Sequence, residues 1–239
     1  MDFLTLFVGG ALPYIAIVVF ILAMAYRLYT WKRLAAPSMT LFPAPADESA
    51  NKKNVLKEAV LFRSLFGGDR VLWGFAWVFH VVLILIFLGH LRVFTNVDSM
   101  LMASGMSDES IKAMSAGVGG TAGVVILIAT LLLLARRLAL PRVREITGPA
   151  DYLALLLIGA IIITGNMMRF GAEHFDLALT RDYFAGLATI SSVTAEPALQ
   201  NGTFVLHMGL AFLLIMCIPF SKILHFGGIF FTHQLIRKQ

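Results

Sequence analysis

Charge is scarce in this chain. Asp, Glu, Lys and Arg together make up 14% of its 239 residues, against about 25% in soluble domains. There is one cysteine, Cys217, inside an apolar run. A disulfide and a cysteine-ligated iron–sulfur cluster within the chain are both excluded. The apolar runs contain no Asp or Glu, the usual partners of an intramembrane proton relay. No nucleophile–base set, metal-bound water or substrate pocket can be assembled from the polar residues. Chemistry on a soluble substrate therefore belongs to a partner chain. The formal charge is +5. In so apolar a chain it marks basic cytoplasmic loops rather than a nucleic-acid surface.

What the chain has is apolar length. It is 59% hydrophobic, with a mean hydropathy of +0.83. A bilayer-crossing helix needs ~20 mostly apolar residues. Five stretches qualify: Phe3–Leu28, Val71–Phe94, Val118–Leu134, Tyr152–Met168 and Thr203–Phe220. The sequence predicts an all-α integral membrane protein, residues 1–239 forming one domain of five transmembrane helices. The first run has no basic segment before it and is too long for a signal-peptide core, so it reads as a span. Pro13 predicts a kink there. Gly117, Gly119, Gly120 and Gly123 open the third span, for close helix packing or for approach of a flat cofactor. The longest polar segment, between the first two spans (about 29–70), holds Pro37, Pro43 and Pro45. After them Asp47–Arg63 reads as an amphipathic helix.

Charge orients the spans. Fifteen Lys and Arg fall in the first linker, the third linker and the tail. Four, Arg92, Lys112, Arg169 and Arg181, fall on the other side. The positive-inside rule puts the N-terminus outside and the C-terminus in the cytoplasm.

Four of the six histidines lie in or beside the apolar runs: His80 and His90 on the second, His207 on the fifth and His225 just beyond it. Ionisable groups at membrane depth are costly and mark function. The topology sets His80 level with His225 near the cytoplasmic face, and His90 level with His207 near the outer face. This arrangement predicts bis-histidine ligation of two stacked b haems, with no open iron position for oxygen chemistry. As continuous helix, His80–His90 rises ~15 Å and His207–His225 ~27 Å, the latter on one face. The mismatch is assigned to tilt and to Pro219, with an iron–iron distance of ~20 Å between the two rises. For propionates, Arg92 and Arg169 stand at the outer ends of their spans, and Arg70 and Lys222 at the inner ends. Each reads equally as an interfacial snorkelling residue. His174 and His233 receive no ligand role. Two other classes compete: an ion transporter using intramembrane histidines as a relay, and an inert anchor for a soluble enzyme. The first lacks acidic partners, and neither accounts for four histidines paired by depth.

Gly89-His90-Leu91-Arg92 near an outer helix end, His207-Met208, and Pro219-Phe220-Ser221-Lys222-Ile223-Leu224-His225 carry a resemblance. Together with the ten- and eighteen-residue histidine spacings, they resemble the gamma subunit of respiratory nitrate reductase, a dihaem cytochrome b that oxidises quinol. The long first linker, Gly148-Pro149-Ala150-Asp151-Tyr152, Thr164-Gly165-Asn166-Met167-Met168-Arg169-Phe170 and Phe226-Gly227-Gly228-Ile229-Phe230-Phe231 are more similar to another member. This is the DsrM-type membrane cytochrome b of the dissimilatory sulfite-reduction-associated Dsr complex.

That resemblance implies menaquinone as redox substrate and a cytoplasmic [4Fe–4S] partner resembling the heterodisulfide reductase catalytic subunit. Periplasmic cytochrome c and iron–sulfur partners are also implied. A nitrate reductase gamma subunit is the alternative. The resemblance further implies a quinone site beside the outer haem at His90, Gly89 and Lys112, where Lys112 reads equally as a solvated loop charge. A site near Trp73 and Trp77 is the other possibility.

Overall fold

The computed structural model describes residues 2–33, 48–171, 176–191 and 197–225, with side chains from 53 onward in the second segment. His174, His233, the three linker prolines and the Phe226–Phe231 motif lie outside these residues. The first span begins with α1 (Phe3–Leu6), capped by the Asp2 carboxylate, which accepts the Thr5 N–H at 2.8 Å. A π-turn over Phe7–Ala11 leads into α2 (Leu12–Arg33). Pro13 has no N–H to give the carbonyl four residues back, that of Gly9. The Tyr183 hydroxyl donates to that carbonyl instead, at 2.6 Å. The kink expected at Pro13 therefore takes the form of a π-turn just before it.

The polar segment that follows carries α3 (Glu48–Leu61) and α4 (Arg63–Gly68), broken at Phe62, where φ is 50°. A helix is thus present as α3 where an amphipathic one is expected over Asp47–Arg63. However, Val55 is buried while Leu56 and Val60 are exposed, so its apolar residues share no single covered face. The indoles of Trp73 and Trp77 donate to the Leu61 and Val60 carbonyls at 2.8 and 3.2 Å. Those carbonyls end α3 and have no partner within it.

Next come α5 (Arg70–Phe94), α6 (Val97–Ala103), α7 (Asp108–Ala139), α8 (Pro141–Glu145) and α9 (Pro149–Phe170), then α10 (Leu177–Ala188) and α11 (Gly202–Cys217). Helix α7 starts ten residues before its apolar run, because Ser107 caps it and Asp108 and Glu109 occupy its first turn. Lys112 is accordingly a helix residue and not a linker one. The fourth linker is also structured. Asp176 caps α10, whose Tyr183 and Leu187 pack with Leu199, Phe204, Val205 and Met208 into a buried cluster.

Among the described residues five helices are long and apolar enough to cross a membrane: Phe3–Arg33, Arg70–Phe94, Asp108–Ala139, Pro149–Phe170 and Gly202–Phe220. Their outward side chains, such as Leu22, Phe87, Leu131 and Leu153, are apolar and exposed, as lipid contact requires. All described regular structure is helical. Packing follows an arc: α2 against α11, α11 against α9, α9 against α7, and α7 against α5. Among the described residues α5, which carries His80 and His90, and α11, which carries His207, are not close-packed neighbours. We call the end holding the N-terminus, α6 and α10 the upper end, and the end holding α3, α4 and α8 the lower end.

Candidate functional site

Across the slot between α5 and α11 the histidines face each other in two pairs. At the upper end the His90 and His207 ring centres are 6.3 Å apart with planes 11° from parallel. At the lower end His80 and His225 are 5.8 Å apart with planes perpendicular at 90°. Zinc–imidazole bonds of ~2.0–2.1 Å are a guide to metal–nitrogen reach, and two imidazoles trans on one ion then have ring centres ~6 Å apart. Both pairs meet that distance.

The ring nitrogens show the same fit. His80 and His90 each hold Nδ1 2.7 Å from the carbonyl four residues back, Ala76 and Ile86. His225 Nδ1 lies 2.9 Å from the Lys222 carbonyl. His207 Nδ1 lies 3.1 Å from the Ile161 carbonyl and 2.9 Å from the Thr164 hydroxyl. A carbonyl accepts only, so Nδ1 carries the proton in all four and Nε2 keeps its lone pair for a metal. The residues present fit two bis-imidazole haems. Among the described residues no group of three or more His, Cys, Asp or Glu gathers.

The fifth span departs from the continuous helix that the eighteen-residue spacing assumed. Helix α11 ends at Cys217, a 3-10 turn covers Ile218–Phe220, Ser221 is extended, and a second 3-10 turn covers Lys222–Leu224. Pro219 causes the break. The ~27 Å rise computed for an unbroken helix therefore does not apply. The broken segment is braced from two sides. Arg27 Nε donates to the Pro219 carbonyl at 2.8 Å, and Lys222 Nζ reaches Asp151 at 2.7 Å. Asp151 also accepts the Gly148 N–H at 3.0 Å. The Gly-Pro-Ala-Asp and Pro-Phe-Ser-Lys motifs thus meet in one ion pair that sets the turn bearing His225.

The four basic residues considered for propionates all have protein partners. Arg92 binds Asp98 at 2.6 Å, and Arg181 binds the same carboxylate at 2.7 Å and the Arg92 carbonyl at 2.6 Å. Arg92 holds the Asp98 carboxyl below the usual carboxylate range, and Arg181 adds to this against the opposing effect of burial. Arg169 donates to the Ser115 carbonyl. Lys222 pairs with Asp151, and Arg70 lies over the Phe66 ring at 5.3 Å. The Arg92–Asp98–Arg181 clasp, tying α5 to α6 and α10, has no signal in the linear sequence because Arg181 lies 83 residues from Asp98.

Gly89 has open space where a Cβ would stand. It lies ~20° around α5 from Val82, counting 100° per residue. Val82 and Leu85 of α5, with Met114, Gly117, Val118 and Thr121 of α7, line an apolar groove of about 440 Å³. Gly117 opens into this groove. Gly119, Gly120 and Gly123 instead face Arg169, Phe170 and Asn166, which resolves the glycine run mostly as helix packing. Lys112 is not brought to the groove. It pairs with Asp108 at 2.6 Å, is largely exposed, and sits ~80–180° around α7 from the residues that line the groove. At the lower end Phe62 packs edge-on against His80, at 5.1 Å between ring centres.

Five apolar spans with facing histidine pairs define a membrane cytochrome b. The nitrate reductase gamma subunit family matches residues 64–238, and the chain belongs to that family. It is 30% identical to the Hdr-like menaquinol oxidoreductase cytochrome b-like subunit of Archaeoglobus fulgidus, across 94% of this chain and 77% of that one. It is 29% identical to the respiratory nitrate reductase 1 gamma chain of Escherichia coli, across 96% and 93%. The nitrate reductase gamma chain of Bacillus subtilis is 23% identical across 90% and 88%. The chain is a multi-pass protein of the inner membrane.

Proposed function

We propose that the chain is the dihaem cytochrome b subunit of a membrane respiratory complex. It passes electrons between the menaquinone pool and a cytoplasmic iron–sulfur subunit resembling heterodisulfide reductase, in sulfite or sulfur metabolism. The observation that carries this reading is the two facing histidine pairs, each ring holding Nδ1 on a backbone carbonyl, which leaves the Nε2 lone pair for iron. The names of the Archaeoglobus relatives, menaquinol oxidoreductase subunits, support the quinone. Haem iron held by two imidazoles supplies one-electron transfer without an open site for oxygen.

The chain's own residues do the rest. The carbonyls of Ala76, Ile86, Ile161 and Lys222 fix the imidazole tautomers and raise their basicity. The surplus of Lys and Arg at the lower end supports a cytoplasmic placement of that end and an outer placement of the N-terminus. The groove between α5 and α7 accepts the isoprenoid chain of a quinone. Gly89, one residue from His90, leaves space for its ring beside the upper pair. The lower end, where α3 and α4 lie along the base of α5, is the face for the iron–sulfur partner.

The test is reduction of purified protein by a menaquinol analogue. The expected result is reduction of the purified protein's haems by the quinol analogue, read in their absorbance. Haems reduced by dithionite but untouched by any quinol would contradict the quinone assignment.

A further inference from the structure

The Thr164-Gly165-Asn166-Met167-Met168-Arg169 stretch of α9 supplies no histidine to either pair, yet it touches the upper site directly. Three of the four histidines are oriented by a carbonyl of their own segment. His207 alone is oriented by another helix. Thr164 is buried. Its hydroxyl donates to the Ala160 and Ile161 carbonyls, each at 3.0 Å, which leaves a lone pair for the His207 Nδ1–H at 2.9 Å. The next residue must be small. A Cβ on Gly165 would stand 3.3 Å from His207 Cε1 and 3.7 Å from Nδ1. The opposite side of the stretch is anchored to α7. Asn166 Nδ2 donates to the Gly123 carbonyl at 3.0 Å, and Arg169 donates to the Ser115 carbonyl.

We infer that Thr164 and Gly165 are positioning residues for the upper haem, and that Thr164 sets its potential apart from that of the lower one. The inference rests on the reading that His90 and His207 hold that haem. An acceptor on Nδ1–H raises the basicity of the imidazole and favours the oxidised, more charged iron. His207 has two such acceptors, a hydroxyl and a carbonyl. Removing the hydroxyl leaves the Ile161 carbonyl, so the ring keeps its tautomer while losing donor strength.

The experiment is an optical redox titration of the full chain in membranes for the wild type, Thr164→Val, Thr164→Ser and Gly165→Ala. The upper step is assigned with His225→Ala, which retains the upper pair. Thr164→Val is expected to shift the upper redox equilibrium about tenfold toward the reduced form, ~59 mV upward for one electron. The lower step stays in place and Thr164→Ser restores the upper one. Gly165→Ala is expected to lower the occupancy of the upper haem alone. The inference is overturned if Thr164→Val moves neither step, if both steps move together, or if Thr164→Ser fails to restore. A wild type without two haems overturns the dihaem reading itself. A wild type with two haems and an unmoved upper step overturns only this inference.

Discussion

The two histidine pairs are built differently. The upper pair joins two regular helices, and its inner member is steadied by a third through Thr164. The lower pair joins a regular helix to a 3-10 turn beyond a proline break, and that turn is steadied by ion pairing and by Arg27. Helix-held rings vary little in position, because each Nδ1 bond is set by the i−4 geometry of the helix or by a packed neighbour. A ring on a short turn depends on the groups that hold the turn. The upper site thus rests on helix packing and the lower on electrostatics near the membrane surface. Perturbations should separate them.

The largest expected effect is loss of one haem of two. His90→Ala or His207→Ala removes the upper and His80→Ala or His225→Ala the lower, read as one remaining step in a redox titration. If His90→Ala and His225→Ala abolish the same step, the pairing across the slot is wrong. Next comes the brace. Asp151→Asn or Lys222→Met should weaken retention of the lower haem on the order of tenfold, in line with the effect of losing outer-shell support. The upper spectrum should be untouched, and equal loss at both sites would mean that the brace does not act on the lower site alone.

The upper end has its own electrostatic element. Asp98→Asn should cost on the order of 1–3 kcal/mol of stability, since it breaks charged hydrogen bonds. Its carboxyl titrates below the usual range in the fold. The stability it contributes is therefore present above the unfolded value of about 4 and is lost as pH falls through the lower folded value. The gap in thermal stability between wild type and Asp98→Asn should narrow below pH ~4. A gap unchanged from pH 7 to pH 3 would count against the clasp.

The smallest effects concern the groove. Gly89→Leu should slow reduction by a menaquinol analogue about tenfold, as overfilling a packed site costs ~1–3 kcal/mol, and leave dithionite reduction intact. Lys112→Ala should leave quinol-driven reduction within about twofold, because its exposed pair with Asp108 is worth little. A larger effect of Lys112→Ala than of Gly89→Leu would move the quinone from the groove to the outer face of α7.

Much of this was readable from the residues. The five spans follow from apolar length alone, and the facing of His80 to His225 and His90 to His207 follows from antiparallel topology. What was hidden depends on contacts between distant segments. Asp98 takes two arginines from 6 and 83 residues away. Thr164 meets His207 across 43 residues, and Lys222 meets Asp151 across 71. Helix α10 was missed because its apolar positions are too few to read as a span. Pro219 was visible as a disturbance, but its outcome, two 3-10 turns around an extended Ser221, needed the bracing by Arg27 and Asp151.

Haem stoichiometry with a redox titration tests the central claim most directly. A pyridine-haemochrome assay on purified protein, with the spectrum recorded through the titration, should give two b haems per chain, both low-spin and six-coordinate, in two separable one-electron steps. One haem or none, or a high-spin spectrum, would contradict the account.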